Sequence, residues 1–360
     1  MSLGPEAEIF EPDDVDGLRL VQRYPHYRFA NRVLWAAWRR LPFTDRSERF
    51  PIVLTTRYLG WLLFREIPPC EVFHGWTGVC LAGLRAAKRH RAVTMIENPS
   101  MHPREWQRVV LRECDTWGVR PHECRSLLPE ALIRRMEEEF AIADFVVVPS
   151  AFAAKSFERP GLSARPLVIH APTDEGFFTP RCCGEKDRKF RVCYAGRVEL
   201  AKGVVYLLKA WKALSLKDAE LVIVGDVSQE MTGLIREYGS ASVRFEGYLP
   251  AERLVDVYRS ADLFAFPSVN EGLARVLLES MATGLPVVAT DCSGAEDCVT
   301  PGVDGTVVPA GDAIALASAL LWHYENREAT KTMGQAARAK IEGHFTLAHY
   351  KERMLHTYRS

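Results

Sequence analysis

The chain has 360 residues, 48% of them apolar, enough for two cores rather than one. Lys plus Arg and Asp plus Glu both number 46, so the formal net charge is zero, which argues against a dedicated nucleic-acid binder. Nine cysteines with no C-x-x-C pair give little support to zinc-ribbon or thioredoxin-like chemistry and fit reduced thiols in a cytosolic protein.

The first residues, MSLGPEAEIFEPDD, are acidic where a secretory signal has a basic and then an apolar segment. Arg57 and Arg65 interrupt the best apolar run, and none approaches the roughly 20 residues of a membrane span. RFANRVLWAAWRRL, residues 28–41, reads as an ordinary helix packed on a sheet; an amphipathic helix touching a membrane surface stays open. The pair Asp14 and Asp16 lies in an acidic patch without strand context and does not read as a metal site.

Taken in order, strands are predicted at 7–12, 50–56, 70–75, 92–98, 144–150 and 166–172. A second series follows at 190–196, 219–226, 243–248, 263–268, 286–291 and 306–311. Helical patterns such as 81–89, 104–118, 204–214, 251–261 and 275–283 lie between them. Near-continuous apolar strands alternating with helices imply an α/β protein with parallel sheets covered on both faces. The expected organisation is two doubly wound Rossmann-like domains facing a cleft. The first spans 1–178, a polar linker 179–189, and the second 190–335. A polar helical segment, 336–360, is expected to pack back towards the first domain. In such folds ligands sit beyond the carboxyl ends of the strands.

Motifs at strand ends therefore matter most. HGWTG places His74 after one strand, and IENPSMH places Glu97, Asn98 and His102 after the next. A lone histidine is more often structural than catalytic, but a shared position at strand ends makes both candidates. GRVELAKG brings Arg197 and Lys202 to the tip of the strand at 190–196, where two cations suit a diphosphate. No Walker or G-x-G-x-x-G pattern occurs. NEGLARVLLESMATG carries Glu271 at a helix N-terminus and Glu279 eight residues on, with Gly284 and Pro286 stopping the helix. Eight helical residues rise ~12 Å. That exceeds the ~5 to 9.5 Å of a glycosidase carboxylate pair. The two glutamates suit two ends of one long polar ligand. Gly272 allows close backbone approach, and the amides of Gly272, Leu273 and Ala274 favour an anion.

These segments, with VIVGD, FEGYLP and GVDGTVVPAGD, resemble glycosyltransferase family 4, retaining enzymes of the GT-B fold. The resemblance covers about residues 140 to 355. It implies that Arg197 and Lys202 hold the diphosphate of a nucleotide sugar, with a UDP-sugar or GDP-sugar as the leading donors. It also implies Glu271 and the amides after it at the donor sugar, Glu279 on the ribose, and Tyr248 and Leu249 near the base. His102 or His74 would stand near the donor sugar, with Glu97 and Asn98 on the acceptor side. No metal and no resident cofactor are expected. The acceptor would be a glycan, a lipid or a small molecule, and nucleic acid is excluded. The expected location is cytoplasmic, with a peripheral contact at the inner face of the membrane left open. Assembly of polysaccharide is associated with the family. The family's usual first strand, glycine-rich loop and helix are not found ahead of residue 7, so a nucleotide-sugar-binding protein with weak or no catalysis is the alternative. A phosphorylase or epimerase of the same fold fits less well, for want of length and of a cofactor-lysine region.

Overall fold

The computed structural model describes residue 60 and residues 67–159, 162–180 and 189–360. The strands expected at 7–12 and 50–56, the helix at 28–41, the Asp14–Asp16 pair, Arg57, Arg65 and linker residues 181–188 lie outside the described residues.

Two parallel sheets are built as the alternation predicts. The first runs in the order β1 (Val72–Trp76), β2 (Val93–Glu97), β3 (Phe145–Val148), β4 (Arg165–Val168). The second has six strands: β5 (Phe190–Ala195), β6 (Ala219–Val224), β7 (Val243–Gly247), β8 (Leu263–Phe266), β9 (Val287–Thr290) and β10 (Gly305–Val308). Its order is β10-β9-β8-β5-β6-β7. The chain winds outward from β5 to β7, then returns to β8 beside β5 and winds the other way. The reversal leaves a crevice above the carboxyl ends of β5 and β8, where adjoining loops diverge to opposite faces. Every residue of β8 and β9 is buried, as central strands covered on both faces must be.

Helices follow their local signals. The helix α1 (Leu81–Arg89) matches its predicted bounds. The next, α2 (Pro103–Trp117), has Pro103 in its first turn and ends on Gly118 in the left-handed conformation. The helix α3 (Glu130–Ile142) is unannounced by a clean apolar stripe because it buries a carboxylate, Glu139, on its packed face. That carboxylate accepts from the amides of Gly78 (2.5 Å) and Leu81 (3.0 Å), capping the entry to α1. Replacing Glu139 by Ala leaves two buried donors unpartnered, and urea denaturation should show a loss of about 2 kcal/mol.

After α3 comes the short α4 (Ala151–Lys155). The second domain adds α5 (Val204–Leu214), α6 (Met231–Tyr238), α7 (Ala251–Ser260), α8 (Arg275–Ala282), α9 (Ala313–Glu325), α10 (Arg327–His344) and α11 (Leu347–Arg359). The closing polar segment is thus two helices rather than one run. Phe345 is buried at the break, its carbonyl accepts from the Thr173 amide at 2.9 Å, and Thr346 caps α11. Beyond this break α11 lies on the first sheet, where Met354 packs with Met95, Val147 and Ile169.

The domains share apolar packing as well. Val110 and Cys114 of α2, with Cys124 and Leu127 after it, belong to the core of the second domain. Tyr206 of α5 donates to Glu113 of α2 at 2.8 Å, and Trp117 packs edge-on against Tyr206. Among the described residues no helix is long and apolar enough to cross a membrane.

Candidate active site

The crevice between β5 and β8 brings together residues that are 69 positions apart. A loop leaves β5 through Gly196 and Arg197 and turns through a short 3-10 segment, Leu200–Lys202. Gly203 then starts α5 with φ 63°, and a Cβ there would fall 2.0 Å from the Pro267 carbonyl oxygen that ends β8. Only glycine lets the two strand ends approach so closely. The result is direct contact: the Lys202 ammonium donates to the carboxylate of Glu271. The two side chains are 15% and 16% exposed, so the pair is reachable from the crevice but mostly out of water.

Arg197 stands on the same rim, half exposed. Its partner is Glu199, with guanidinium nitrogen and carboxylate oxygen 3.3 Å apart. Glu199 is fully buried, and no sequence pattern singled it out. Its placement depends on the turn after β5, which the loop after β6 holds through Val198 and Ser228.

The segment after β8 corrects one expectation. The helix α8 begins at Arg275, so Glu271 lies four residues ahead of it, in the loop. A helical rise therefore does not measure the separation of Glu271 from Glu279. The Glu271 amide donates to the Cys292 carbonyl at 2.9 Å, which fixes this loop to the one after β9. No side chain caps α8, and the amides of Gly272, Leu273 and Ala274 meet no acceptor among the described residues. Gly272 also has a partner that its sequence context did not suggest. Its bare face meets the first domain rather than a ligand: a Cβ would lie 2.3 Å from the Pro99 carbonyl oxygen and 2.9 Å from the Ser100 Cα. The Gly272 carbonyl in turn accepts from Ser150 Oγ. Asp297 extends the junction, accepting from the Ala151 amide at 2.8 Å and lying 3.0 Å from His170 Nε2.

Glu279 sits one turn into α8 with its carboxyl beside the Tyr258 hydroxyl. Burial raises its pKa, while Arg275 and then Tyr258 oppose that rise. Tyr248, 63% exposed, and the partly buried Leu249 follow β7 on the far side of β6. The Gly225 amide donates to the Gly247 carbonyl at 2.8 Å, tying the β6 and β7 tips together.

The first-domain candidates separate. His102 is 2% exposed and caps α2, its Nδ1 accepting from the Arg104 amide at 3.2 Å. Its ring lies between Phe140 and Phe157. Burial, aided by Arg159, lowers its pKa to about 4, so the ring is neutral and turned inward. Asn98 is buried too, its amide donating to the Ser100 carbonyl of its own loop. Both residues shape the loop that meets Gly272. Glu97 ends β2 as expected, but His74 is the middle residue of β1 rather than at its end, because the strand runs on to Trp76. His74 Nε2 is 3.8 Å from the Glu97 carboxylate, and His74 Nδ1 is 2.6 Å from the hydroxyl of Tyr358 on α11. Burial lowers the His74 pKa to about 4 and raises that of Glu97.

Residues 181–340 match the family described as glycosyl transferases group 1. The chain is similar to D-inositol 3-phosphate glycosyltransferase of Nocardia farcinica, 34% identical over 179 residues, taking in 46% of this chain and 40% of that one. It therefore spans about half or less of the length of such relatives. Among solved structures it resembles sucrose-phosphate synthase of Thermosynechococcus elongatus, with TM-score 0.66 and 21% identity over 88% of this chain and 80% of that one. It also resembles HepE of Anabaena in complex with UDP, with TM-score 0.64 and 18% identity over 85% and 82% of the two chains. The fold is that of the GT-B proteins.

Proposed function

We propose, from the match of residues 181–340 to the group 1 glycosyl transferases, that this protein moves a sugar from a nucleoside diphosphate sugar to a hydroxyl acceptor with retention of configuration. The observation that carries this reading is the Lys202–Glu271 contact at the reversal point of the second sheet. A cation and a carboxylate are held there side by side, facing the junction with the first domain.

In this reading Lys202 and Arg197 take the diphosphate. Lys202 is a compact charge and Arg197 a fork able to meet two oxygens. The amides of Gly272, Leu273 and Ala274 add unpaired donors at the start of α8, where the helix dipole favours negative charge. Glu271 faces the donor sugar and Glu279 accepts from the ribose hydroxyls, with Tyr248 and Leu249 beside the base. Of the two first-domain histidines, this reading assigns His74 to the sugar side and gives His102 the holding of its loop. As the bond between the anomeric carbon and the phosphate oxygen breaks, the two cations neutralise the charge on the leaving diphosphate. The acceptor hydroxyl attacks from the same face and passes its proton to a departing phosphate oxygen. No step in this scheme requires a metal. A glycan or lipid-linked acceptor on the cytoplasmic side, as in polysaccharide assembly, fits the reading.

A thermal-shift screen of UDP-, GDP- and ADP-sugars, followed by an assay of hydrolysis and transfer, tests it. A donor that both stabilises the protein and turns over is the expected result. Binding without turnover of any donor would leave only a nucleotide-sugar-binding protein. Within the site, Glu279→Ala should weaken a free nucleoside by about 1.5 kcal/mol, through lost charge-assisted hydrogen bonds. Unchanged nucleoside affinity in calorimetry would remove the ribose role.

A further inference from the structure

The turn after β5 carries both cations assigned to the diphosphate, and one buried residue touches each of them. Glu199 is fully buried, yet neither oxygen of its carboxylate receives a hydrogen bond among the described residues. A buried carboxylate without donors is costly and asks for a reason. Its cation is Arg197, whose guanidinium nitrogen lies 3.3 Å from one oxygen without the alignment of a hydrogen bond. At the backbone, the Glu199 carbonyl accepts from the Lys202 amide at 3.0 Å and closes the 3-10 segment.

The turn itself is fixed without that carboxylate. Tyr194, buried in β5, donates from its hydroxyl to the Arg197 carbonyl at 2.9 Å. The Val198 amide donates to the Asp226 carbonyl at 2.9 Å, and the Val198 carbonyl accepts from the Ser228 amide at 3.0 Å. The side chain of Glu199 is thus turned beneath the rim, while that of Arg197 stands on it, half exposed. In the loop after β6, burial raises the pKa of Glu230, and the charge of Glu199 adds to the rise. A second carboxyl group so near makes the demand for a cation at Glu199 larger.

Among the described residues the Arg197 guanidinium donates no hydrogen bond, so the carboxylate restrains it by charge and leaves its N–H groups uncommitted. A free arginine loses rotamer freedom when it binds an anion, and that loss weakens binding. An arginine held beforehand, by a carboxylate that no ligand can reach, has already lost most of it.

We propose that Glu199 is a positioning residue whose buried charge holds the Arg197 guanidinium on the rim of the crevice, with its N–H groups free for the diphosphate. The inference rests on the nucleotide-sugar reading, and it makes the charge of Glu199, rather than its size, the property that matters. Glu199 acts through Arg197 and touches no reacting atom.

Calorimetry with UDP and uridine on the full chain, Glu199→Gln, Arg197→Ala and the double variant tests this. Glu199→Gln fills the same space and strands no buried charge, because Arg197 is half exposed. It should weaken UDP about tenfold and uridine less than twofold. In the Arg197→Ala background the same change should alter UDP affinity less than twofold, since no guanidinium is left to hold. An unchanged or tighter affinity for UDP in Glu199→Gln, or an equal loss in both backgrounds, would overturn the inference. A second readout needs no ligand. The heteronuclear NOE of the Arg197 Nε–Hε group, assigned by its disappearance in Arg197→Ala, should be that of an ordered side chain in the parent and fall by more than half in Glu199→Gln. A mobile Arg197 in the parent, or equal values in the two proteins, would overturn it as well. If UDP fails to bind the parent, the nucleotide-sugar reading falls, while the NOE still decides whether Glu199 holds Arg197.

Discussion

Lys202→Ala is expected to weaken UDP about 100-fold while changing the affinity of uridine less than threefold. The loss corresponds to about 2.7 kcal/mol, within the range for charge-assisted hydrogen bonds at a largely desolvated site. The difference between the two ligands is the diphosphate, and Lys202, 15% exposed against 50% for Arg197, is the less hydrated of the two cations. Its partner sharpens the test. Glu271 already occupies the Lys202 ammonium. A diphosphate must share or displace that carboxylate, so the pair opposes ligand binding as much as it prepares for it. Glu271→Gln should therefore leave UDP affinity equal or up to about tenfold tighter, while transfer falls by about 100-fold for want of the carboxylate at the sugar. Opposite signs for binding and turnover in one variant would be hard to obtain from general loss of structure. Isothermal calorimetry with UDP and uridine on both variants decides the matter. Equal losses for the two ligands in Lys202→Ala would remove the diphosphate assignment.

Gly272→Ala is expected to reduce transfer about 100-fold with UDP affinity unchanged within threefold. The added methyl would fall 2.3 Å from the Pro99 carbonyl oxygen and 2.9 Å from the Ser100 Cα. Both are backbone atoms of the opposite domain, so no flexible side chain can swing aside. Relief requires the domains to separate by on the order of 1 Å, and a misplacement of that size can cost about two powers of ten in rate. The groups proposed to hold the nucleotide all lie in the second domain and would move together. Parallel assays of binding and turnover measure the split. Unchanged transfer would mean that this junction does not set the reacting geometry.

The strength of the sequence signal varied with how local its cause was. The strands β5, β8 and β9 and the helices α1 and α8 were legible because apolar runs, glycine stops and helical spacing act within a few residues. Lys202 and Glu271 were each found separately, from loops after strands. That they touch was not legible, since contact depends on β8 returning to the side of β5 and on Gly203 tolerating the Pro267 carbonyl. His102 and His74 looked alike in sequence, each following an apolar strand. They part only through packing: one ring is enclosed by Phe140 and Phe157, while the other meets a helix that is 284 residues away. Glu199 carried no signal, because a buried carboxylate inside a polar turn reads as a surface residue.

By itself, the amino-acid sequence determined the alternating α/β pattern, the two series of strands, the resemblance of the second series to a known family and the positions of its charged loop residues. These follow from hydrophobic period and turn chemistry, which are properties of short stretches. Only the tertiary structure decided that Lys202 is paired with Glu271, that Gly272 is a joint between domains, and that α11 crosses over to hold His74. Such contacts join residues far apart in the chain, and their geometry is set by the order of strands in a sheet and by the close approach of two domains.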